Sequence, residues 1–465
     1  MYSKRPGTRK ILAYYKAPFF ERHPVCWWLY VGVLWLAAAV WRLIMFRTTF
    51  IAITGSVGKT TAKECLATIL SEHAPTAKSK GTANWIAGVP LAILGVRPWH
   101  RYAVIEVGAA RRGAMRYLGR LVRPHLALIL AVRREHTAEF PTLEEMAAEK
   151  ALLAKCVPAR GRLVLNADDP LVREMGRYSR AVTFTFGKSP ENFLRYRVRP
   201  SPWPSRLTLE LECDGRSEIL HTQLVGQHWA PSVAGAVTVA RLLGFDFPTI
   251  ARGAHRIEPV PGRMCPCSLP GNIIILRDEY GSAPDSFEAS VAVLRQASAP
   301  RRIAVFGEIS ETGLDRAAAF RFVGRSVAGA ADILIFVGAG EASLAAGAAQ
   351  EAGMPRSSVY SFRSVRDATN FLRELLRPGD LVLLKGRLSN HLSRVYFGLL
   401  GSLSCWKESC ERRYLCDECP DLGFKPDPRM LNQPVMSATR EVPPAQAPSP
   451  SEATEPSLSR QPNDL

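Results

Sequence analysis

Hydropathy along the chain is most uneven near its start, where Val25–Phe46 is an apolar run broken only by Arg42. As a helix rising about 1.5 Å per residue the run reaches roughly 33 Å, enough to cross the hydrocarbon core of a bilayer. Trp27, Trp28, Tyr30, Trp35 and Trp41 add rings of the kind that anchor at a membrane interface. The run is long and lacks a small-residue cleavage site, which argues against a cleaved signal peptide. A buried core helix is the non-membrane alternative. Lys4, Arg5, Arg9, Lys10, Lys16 and Arg22 outnumber Arg42 and Arg47, so a cytoplasmic N-terminus is predicted. A single span would then carry everything after it across the membrane. A hairpin with residues 11–20 as a short first arm, or a segment lying in the membrane plane, avoids this. Residues 1–47 are therefore expected to be a membrane-associated segment, with the rest of the chain on the cytoplasmic face of the inner membrane.

After Arg47 the period changes. Thr49–Thr54 is a short β-branched apolar run, Gly55–Gly58 a turn and Thr60–Ser71 a helical stretch. Ala103–Val107, Leu126–Val132 and Arg162–Leu165 read as buried strands, and Glu144–Cys156 has helical spacing. Strands alternating with helices predict an α/β domain whose mainly parallel sheet is covered on both faces. Between about Ala181 and Leu224 apolar and polar residues alternate, as in RLTLELECDG, predicting an inserted antiparallel piece; Pro231–Leu243 is then a helix. The stretch IEPVPG at Ile257–Gly262 reads as a domain joint. Beyond it the strands Ile273–Leu276, Arg302–Phe306, Ile333–Val337 and Leu381–Leu384 predict a second α/β domain. The expected divisions are 48–258, 259–404, a Cys-rich motif at 405–429, and a Pro-, Ser-, Ala- and Glu-rich tail at 430–465, expected to be disordered.

Composition narrows the partners. The chain has 465 residues and a formal charge of +18, which suits anionic small molecules or lipid as well as nucleic acid. The excess is mostly scattered arginine, without a long basic run interleaved with aromatics, so no nucleic-acid partner is expected. Of ten cysteines six are dispersed, while Cys405, Cys410, Cys416 and Cys419 cluster. That distribution points to a reducing compartment with one local metal site and away from a disulfide framework.

The sharpest motif is IAITGSVGKTT. Gly55 and Gly58 let backbone N–H groups turn toward phosphate oxygens, Lys59 adds a charge, and the helix starting near Thr60 adds its positive end. The Thr60 hydroxyl is placed to reach magnesium. Ile53 stands where the usual phosphate loop has its first glycine, so the spacing is a compact variant.

The compact form resembles the Mur ligase family, and within it the branch that adds D-alanyl-D-alanine. TANWIAGVPLAIL is similar to that family's T-x-N-x-x-x-G-V-P segment at Thr82, Asn84, Gly88, Val89 and Pro90. AVIEVGA places Glu106 on its magnesium ligand; EHTAEFPTLEEMAAEKALL places His136 on a metal position and Lys150 on the lysine carried as a carbamate. LNADDP, PVPGRM with Arg263, RDEYGSAPDS with Asp278, Tyr280, Pro284, Asp285 and Ser286, AVFGEISETG, and LLKGRLS with Lys385 follow in family order. The resemblance spans residues 48–400. It implies a P-loop central domain followed by a Rossmann-like C-terminal domain, joining an amine to a carboxylate through an acyl phosphate, with ATP and Mg2+. It implies nucleotide contacts at Gly55, Ser56, Gly58, Lys59, Thr60, Thr61, Arg263 and Asp278, one magnesium on Thr60 and Glu106, and a second on His136 and carbamylated Lys150. Lys59, His136 and Lys150 would be catalytic, and Asn84, Tyr280, Asp285 and Lys385 would meet substrate.

Departures accompany the match. Trp229 and Ser232 replace the family's N-x-x-N asparagines, Ala110-Arg111 its N-H, and Gly281 and Ala283 two asparagines of the second domain. The family's UDP-sugar domain has no counterpart in residues 1–47. The implied carboxylate acceptor is thus an envelope precursor, lipid-linked or positioned by a partner subunit. The amine is an amino acid or peptide. A noncatalytic nucleotide-binding scaffold is the rival. The spacing C-x4-C-x5-C-x2-C at Cys405, Cys410, Cys416 and Cys419 suits Zn2+ or an iron–sulfur cluster, with free thiols as the remainder.

Overall fold

The computed structural model describes residues 23–310, 313–338, 340–408, 410 and 415–423. The short hairpin arm and the disordered tail expected from the sequence lie outside them.

The first sheet has nine strands in the order β2-β3-β1-β4-β5-β6-β7-β8-β9. In chain order these are β1 Thr49–Thr54, β2 Thr76–Lys78, β3 Tyr102–Glu106, β4 Leu126–Ile129, β5 Arg162–Asn166, β6 Val182–Gly187, β7 Leu194–Arg199, β8 Thr208–Cys213 and β9 Arg216–His221. The helices of this half are α1 Pro24–Ile44, α2 Lys59–Ser71, α3 Gly88–Leu94, α4 Ala114–Val122, α5 Leu143–Ala154, α6 Pro170–Arg173, α7 Ala230–Leu242 and α8 Phe247–His255. β1 pairs in parallel with β3 on one side and β4 on the other. Every β1 residue after Thr49 is buried, which is why this strand reads as a continuous apolar run rather than an alternation. α2 and α7 pack one face of the sheet, and α3, α4 and α5 the other.

The alternating stretch after Ala181 does not form a separate insertion. β6 runs parallel to β5, and only β7, β8 and β9 pair antiparallel with one another, extending the same sheet. Alternation marks a strand with one wet face, and an edge extension of a large sheet meets that condition as well as an inserted sheet would.

The second sheet has six strands in the order β10-β11-β15-β12-β13-β14. They are β10 Cys265–Leu269, β11 Ile273–Asp278, β12 Arg302–Phe306, β13 Ile333–Val337, β14 Val359–Phe362 and β15 Leu381–Lys385. Around them lie α9 Pro284–Gln296, α10 Arg316–Val327, α11 Ala342–Glu351, α12 Val365–Leu375 and α13 Ser393–Leu400. Only β10 is antiparallel to its neighbour; its Pro266 suits the sheet edge it occupies. Arg277 on β11 is buried, bonded to Glu279 and to both carboxylate oxygens of Asp417, which ties the C-terminal cysteine segment to this domain.

α1 lies along the first domain. Trp27, Val31, Leu34 and Ala38 face inward, and the indole N–H groups of Trp35 and Trp41 donate to Ile86 O (2.7 Å) and Val96 O (2.8 Å). Arg42, the one charge in the apolar run, is buried and caps the end of α4. Its Nε donates to Val122 O and its Nη2 to Arg123 O, each at 2.7 Å, with the guanidinium 3.9 Å over the Phe50 ring. Burial, aided by Arg123, lowers its pKa to about 10, so it remains charged at neutral pH. Charge-assisted bonds to orphan helix-end carbonyls stabilise by about 2 kcal/mol. Arg42→Ala is expected to lower unfolding free energy by about that amount and to expose α1 to protease, measured by urea denaturation and limited proteolysis.

Candidate active site

Strand ends and loops of both sheets converge on one cavity of about 1230 Å3. Glu106 is the last residue of β3, Asp278 the last of β11 and Lys385 the last of β15. The loop Gly55–Gly58 leaves β1 between β3 and β4, where the strand order reverses, the usual crevice for a ligand in such sheets.

The loop turns because Gly58 adopts φ 82°, and a Cβ there would fall 2.5 Å from Ser232 Oγ. Lys59 then opens α2. Its ammonium donates to Gly55 O (2.5 Å) and Ser56 O (3.0 Å) and lies 3.6 Å from Glu135 Oε2. Thr60 Oγ1 donates to Glu106 Oε2 (3.0 Å), and Asn84 Nδ2 donates to Glu106 Oε1 (2.7 Å). Lys63, wholly buried, stands 4.0 Å from Glu106 and is held by Ser79 O and Gly81 O. The buried acid is thus oriented by Thr60 and Asn84 and compensated by Lys63.

The second domain closes over this loop. Arg263 Nη2 donates to Thr60 Oγ1 (3.3 Å), and its guanidinium lies 4.5 Å from the Tyr280 ring. The Tyr280 hydroxyl is hydrogen-bonded to Thr82 Oγ1. Arg133 bridges the halves, meeting Asp169 Oδ2 at 2.8 Å and Asp285 Oδ2 at 2.9 Å. Lys385 Nζ lies 2.7 Å from Asp278 Oδ2 and donates to Ser286 Oγ (3.2 Å). His228 is pushed down to about 4, chiefly by burial, so it is neutral between Asp278 and Lys385.

Of the residues expected from the sequence, Ser56, Gly58, Lys59, Thr60, Asn84, Glu106, His136, Arg263, Asp278, Tyr280, Asp285 and Lys385 line the cavity. Gly55 and Thr61 do not line it, and Thr61 Oγ1 and Arg263 Nε are buried without a hydrogen-bond partner among the described residues. Lys150 lies beneath the wall, fully buried, 2.6 Å from Glu135 Oε1. Burial, together with Lys59, lowers its pKa to about 8 against the opposing pull of Glu135. Glu135, absent from the sequence-based set, links Lys59 to Lys150. Burial alone would raise its pKa, but Lys150 and Lys59 outweigh that and hold it below the ordinary carboxylate value. Its place directly before His136 was the available signal. Ser232 was read as a departure, yet its hydroxyl donates to Gly58 O (3.2 Å) and supports the loop.

The donor set fits a magnesium nucleotide: a glycine cradle at a helix start, three cations from two domains, and a hard-oxygen pair in Thr60 and Glu106. The cysteines are another matter. Among the described residues no group of three or more His, Cys, Asp or Glu side chains is arranged for a metal ion, so the expected zinc or iron–sulfur site is unsupported. Cys405, Cys410, Cys416 and Cys419 instead line a small, mainly apolar cavity with His391 and Arg394, and Cys416 Sγ lies 3.4 Å from His391 Nδ1.

Residues 53–240 match the Mur ligase middle domain and 262–388 the Mur ligase, glutamate ligase domain. The chain belongs to the Mur ligase family. It is 30% identical over 392 residues to the UDP-N-acetylmuramoyl-tripeptide–D-alanyl-D-alanine ligase of Mycobacterium tuberculosis, covering 78% of this chain and 75% of that one. It is also 30% identical to the Escherichia coli enzyme of that name, covering 62% of this chain and 64% of that one. A crystal structure of MurF from Acinetobacter baumannii superposes with a TM-score of 0.73 at 26% identity, covering 80% of each chain. MurF from Thermotoga maritima in complex with ADP has the same fold, with a TM-score of 0.68 at 24% identity over 79% of this chain and 83% of that one. The Mur ligase fold thus accounts for both sheets. The membership also gives the ordered motifs one explanation: most of them contribute residues to a single cavity.

Proposed function

We propose that this Mur ligase is an ATP-dependent carboxylate–amine ligase acting on a peptidoglycan-type envelope precursor. The observation that carries the reading is the cavity in which the phosphate loop of one domain faces Arg263, Asp278 and Lys385 of the other. In the reaction an acceptor carboxylate oxygen attacks the γ-phosphorus, the bond to the β-phosphate oxygen breaks, and ADP leaves. The amine nitrogen then attacks the acyl carbon, expels phosphate and loses a proton.

Both reactants are anionic, so cations must hold them together. Loop N–H groups and Lys59 hold the β- and γ-phosphates, and Arg263, fixed on Tyr280, approaches from the second domain. Magnesium held by Thr60 and Glu106 would neutralise phosphate charge, and a second ion would be held by His136 and Lys150. The lowered pKa of Lys150 favours the neutral amine that carbamate formation requires. Asn84 positions the Glu106 carboxylate, and Asp285, through Arg133, keeps the domains closed. Lys385 holds Asp278, and these two, with Tyr280, face the amine side. Gly281 and Ala283 widen that side relative to the family's asparagines, which supports an amine other than D-alanyl-D-alanine.

The acceptor end has an apolar wall of Trp28, Trp85 and Ile86, which supports an acceptor carrying a lipid part. The experiment is release of ADP and phosphate by the purified chain, dependent on both amine and carboxylate, with products identified by mass spectrometry. Lipid-linked muropeptide acceptors are expected to exceed soluble UDP-linked ones at least tenfold in kcat/KM. Equal turnover of the two sinks the lipid assignment. No substrate-dependent ADP release with any pair leaves the scaffold reading in its place.

A further inference from the structure

We infer that α1 lies flat in the surface of an anionic membrane, its outward stripe among the acyl chains. The inference rests on the helix and its rim and not on the ligase reading.

The outward positions of α1 are Val25, Leu29, Val33, Leu36, Val40 and Leu43, three or four residues apart and all exposed. Phe46, 76% exposed, continues the stripe past the helix end. A helix that is apolar on all sides belongs inside something. The domain covers the inward side, and among the described residues nothing covers the outward one. A continuous aliphatic ridge of this length differs from single exposed hydrophobics, which need no explanation.

The charge around the ridge decides what covers it. No acidic residue occurs from Pro24 to Arg47, and from Gly88 to Arg134 the only one is Glu106, which is buried. The same segments expose Arg47, Arg97, Arg101, Arg116, Arg120 and Arg123. On α4, Arg116 and Arg120 are spaced i and i+4 beside Tyr117, whose ring lies 5.6 Å from that of Trp35, and Arg123 follows at the helix cap. Beside the C-terminal end of α1, where Trp41 is bonded to Val96 O, Arg97 and Arg101 flank Trp99, which is 67% exposed. The neighbouring carboxylates Glu139 and Glu145 are engaged with Arg112. An apolar ridge with arginine and aromatic rims is the chemistry of an interfacial helix on anionic lipid. A second copy of the chain fits poorly, because a two-fold contact through the ridge would bring like-charged rims together. A transmembrane course fits poorly too, because Trp35, Trp41 and buried Arg42 bind the helix to the domain along its length.

The ridge also adjoins the cavity. Trp28 of α1 lines it, and Trp27 stacks on Trp85, another lining residue, with ring centroids 6.1 Å apart. A flat α1 therefore sets the cavity beside the lipid surface.

The test uses the full chain in flotation with vesicles of phosphatidylcholine alone or mixed with phosphatidylglycerol. The chain is expected to float with the mixed vesicles, and at least tenfold less with phosphatidylcholine alone. Leu29→Asp/Leu36→Asp is expected to cut the floated fraction at least tenfold, with ATP affinity unchanged as the control for folding. Should that variant misfold, Leu29→Ser/Leu36→Ser is expected to move flotation in the same direction. Flotation of either folded variant at the wild-type level overturns the inference, since the basic N-terminal residues would then suffice. So does a wild-type chain that stays with the aqueous phase, or a solution dimer that the same substitutions dissociate.

Discussion

Lys59→Ala is expected to lower ATP turnover on the order of 100-fold or more, the usual cost of removing a donor that meets developing phosphate charge. Lys59 opens α2, and its ammonium bonds to loop carbonyls and faces Glu135. Lys150 still pairs with Glu135 when Lys59 is removed, so the loss of stability should be on the order of 1 kcal/mol. Lys59→Arg should not restore full turnover, because a planar guanidinium does not replace a compact ammonium inside a glycine turn. Steady-state ADP release and urea denaturation measure the two quantities. A folded Lys59→Ala protein with undiminished turnover would remove the phosphate-loop assignment.

Lys150→Met is expected to be harmful in a different way. The ammonium is wholly buried and pairs with Glu135 at 2.6 Å. Removing one member of a buried pair leaves Glu135 with only the more distant Lys59, 3.6 Å away, which costs about 3 kcal/mol. Glu135→Gln alone strands the lysine, whose lowered pKa lets it shed its proton, so a smaller loss is expected. The double variant Lys150→Met/Glu135→Gln should regain most of the stability yet show no turnover. That split separates the structural pairing from the catalytic part assigned to Lys150. Full turnover in the double variant would confine Lys150 to the fold. Strict additivity of the two stability losses would mean that the residues do not act as a pair.

Much of the site was legible because its signals are local. A glycine turn between an apolar strand and a helix fixes where phosphate-facing N–H groups go within Gly55–Thr61, whatever the rest of the chain does. Glu106, Asp278 and Lys385 end buried strands, but the family motifs, and not the apolar runs, marked them. The family motifs in order supplied the pairing of the two domains.

What the tertiary structure decided depends on contacts between distant residues. Arg42 read as an interruption of an apolar run, but it caps a helix end formed by Val122 and Arg123, some eighty positions away. Glu135 drew no attention, because nothing in its surroundings along the chain says that Lys59 and Lys150 converge on it. Alternation in residues 194–213 reported one wet face per strand, a property shared by an inserted sheet and by the extended edge that is present. The apolar period of α1 identified a helix that avoids water on every side. Hydrophobicity carries no direction and names no partner. Only the packed structure shows that one side is taken up by protein, leaving the other as a lone aliphatic ridge between arginine rims.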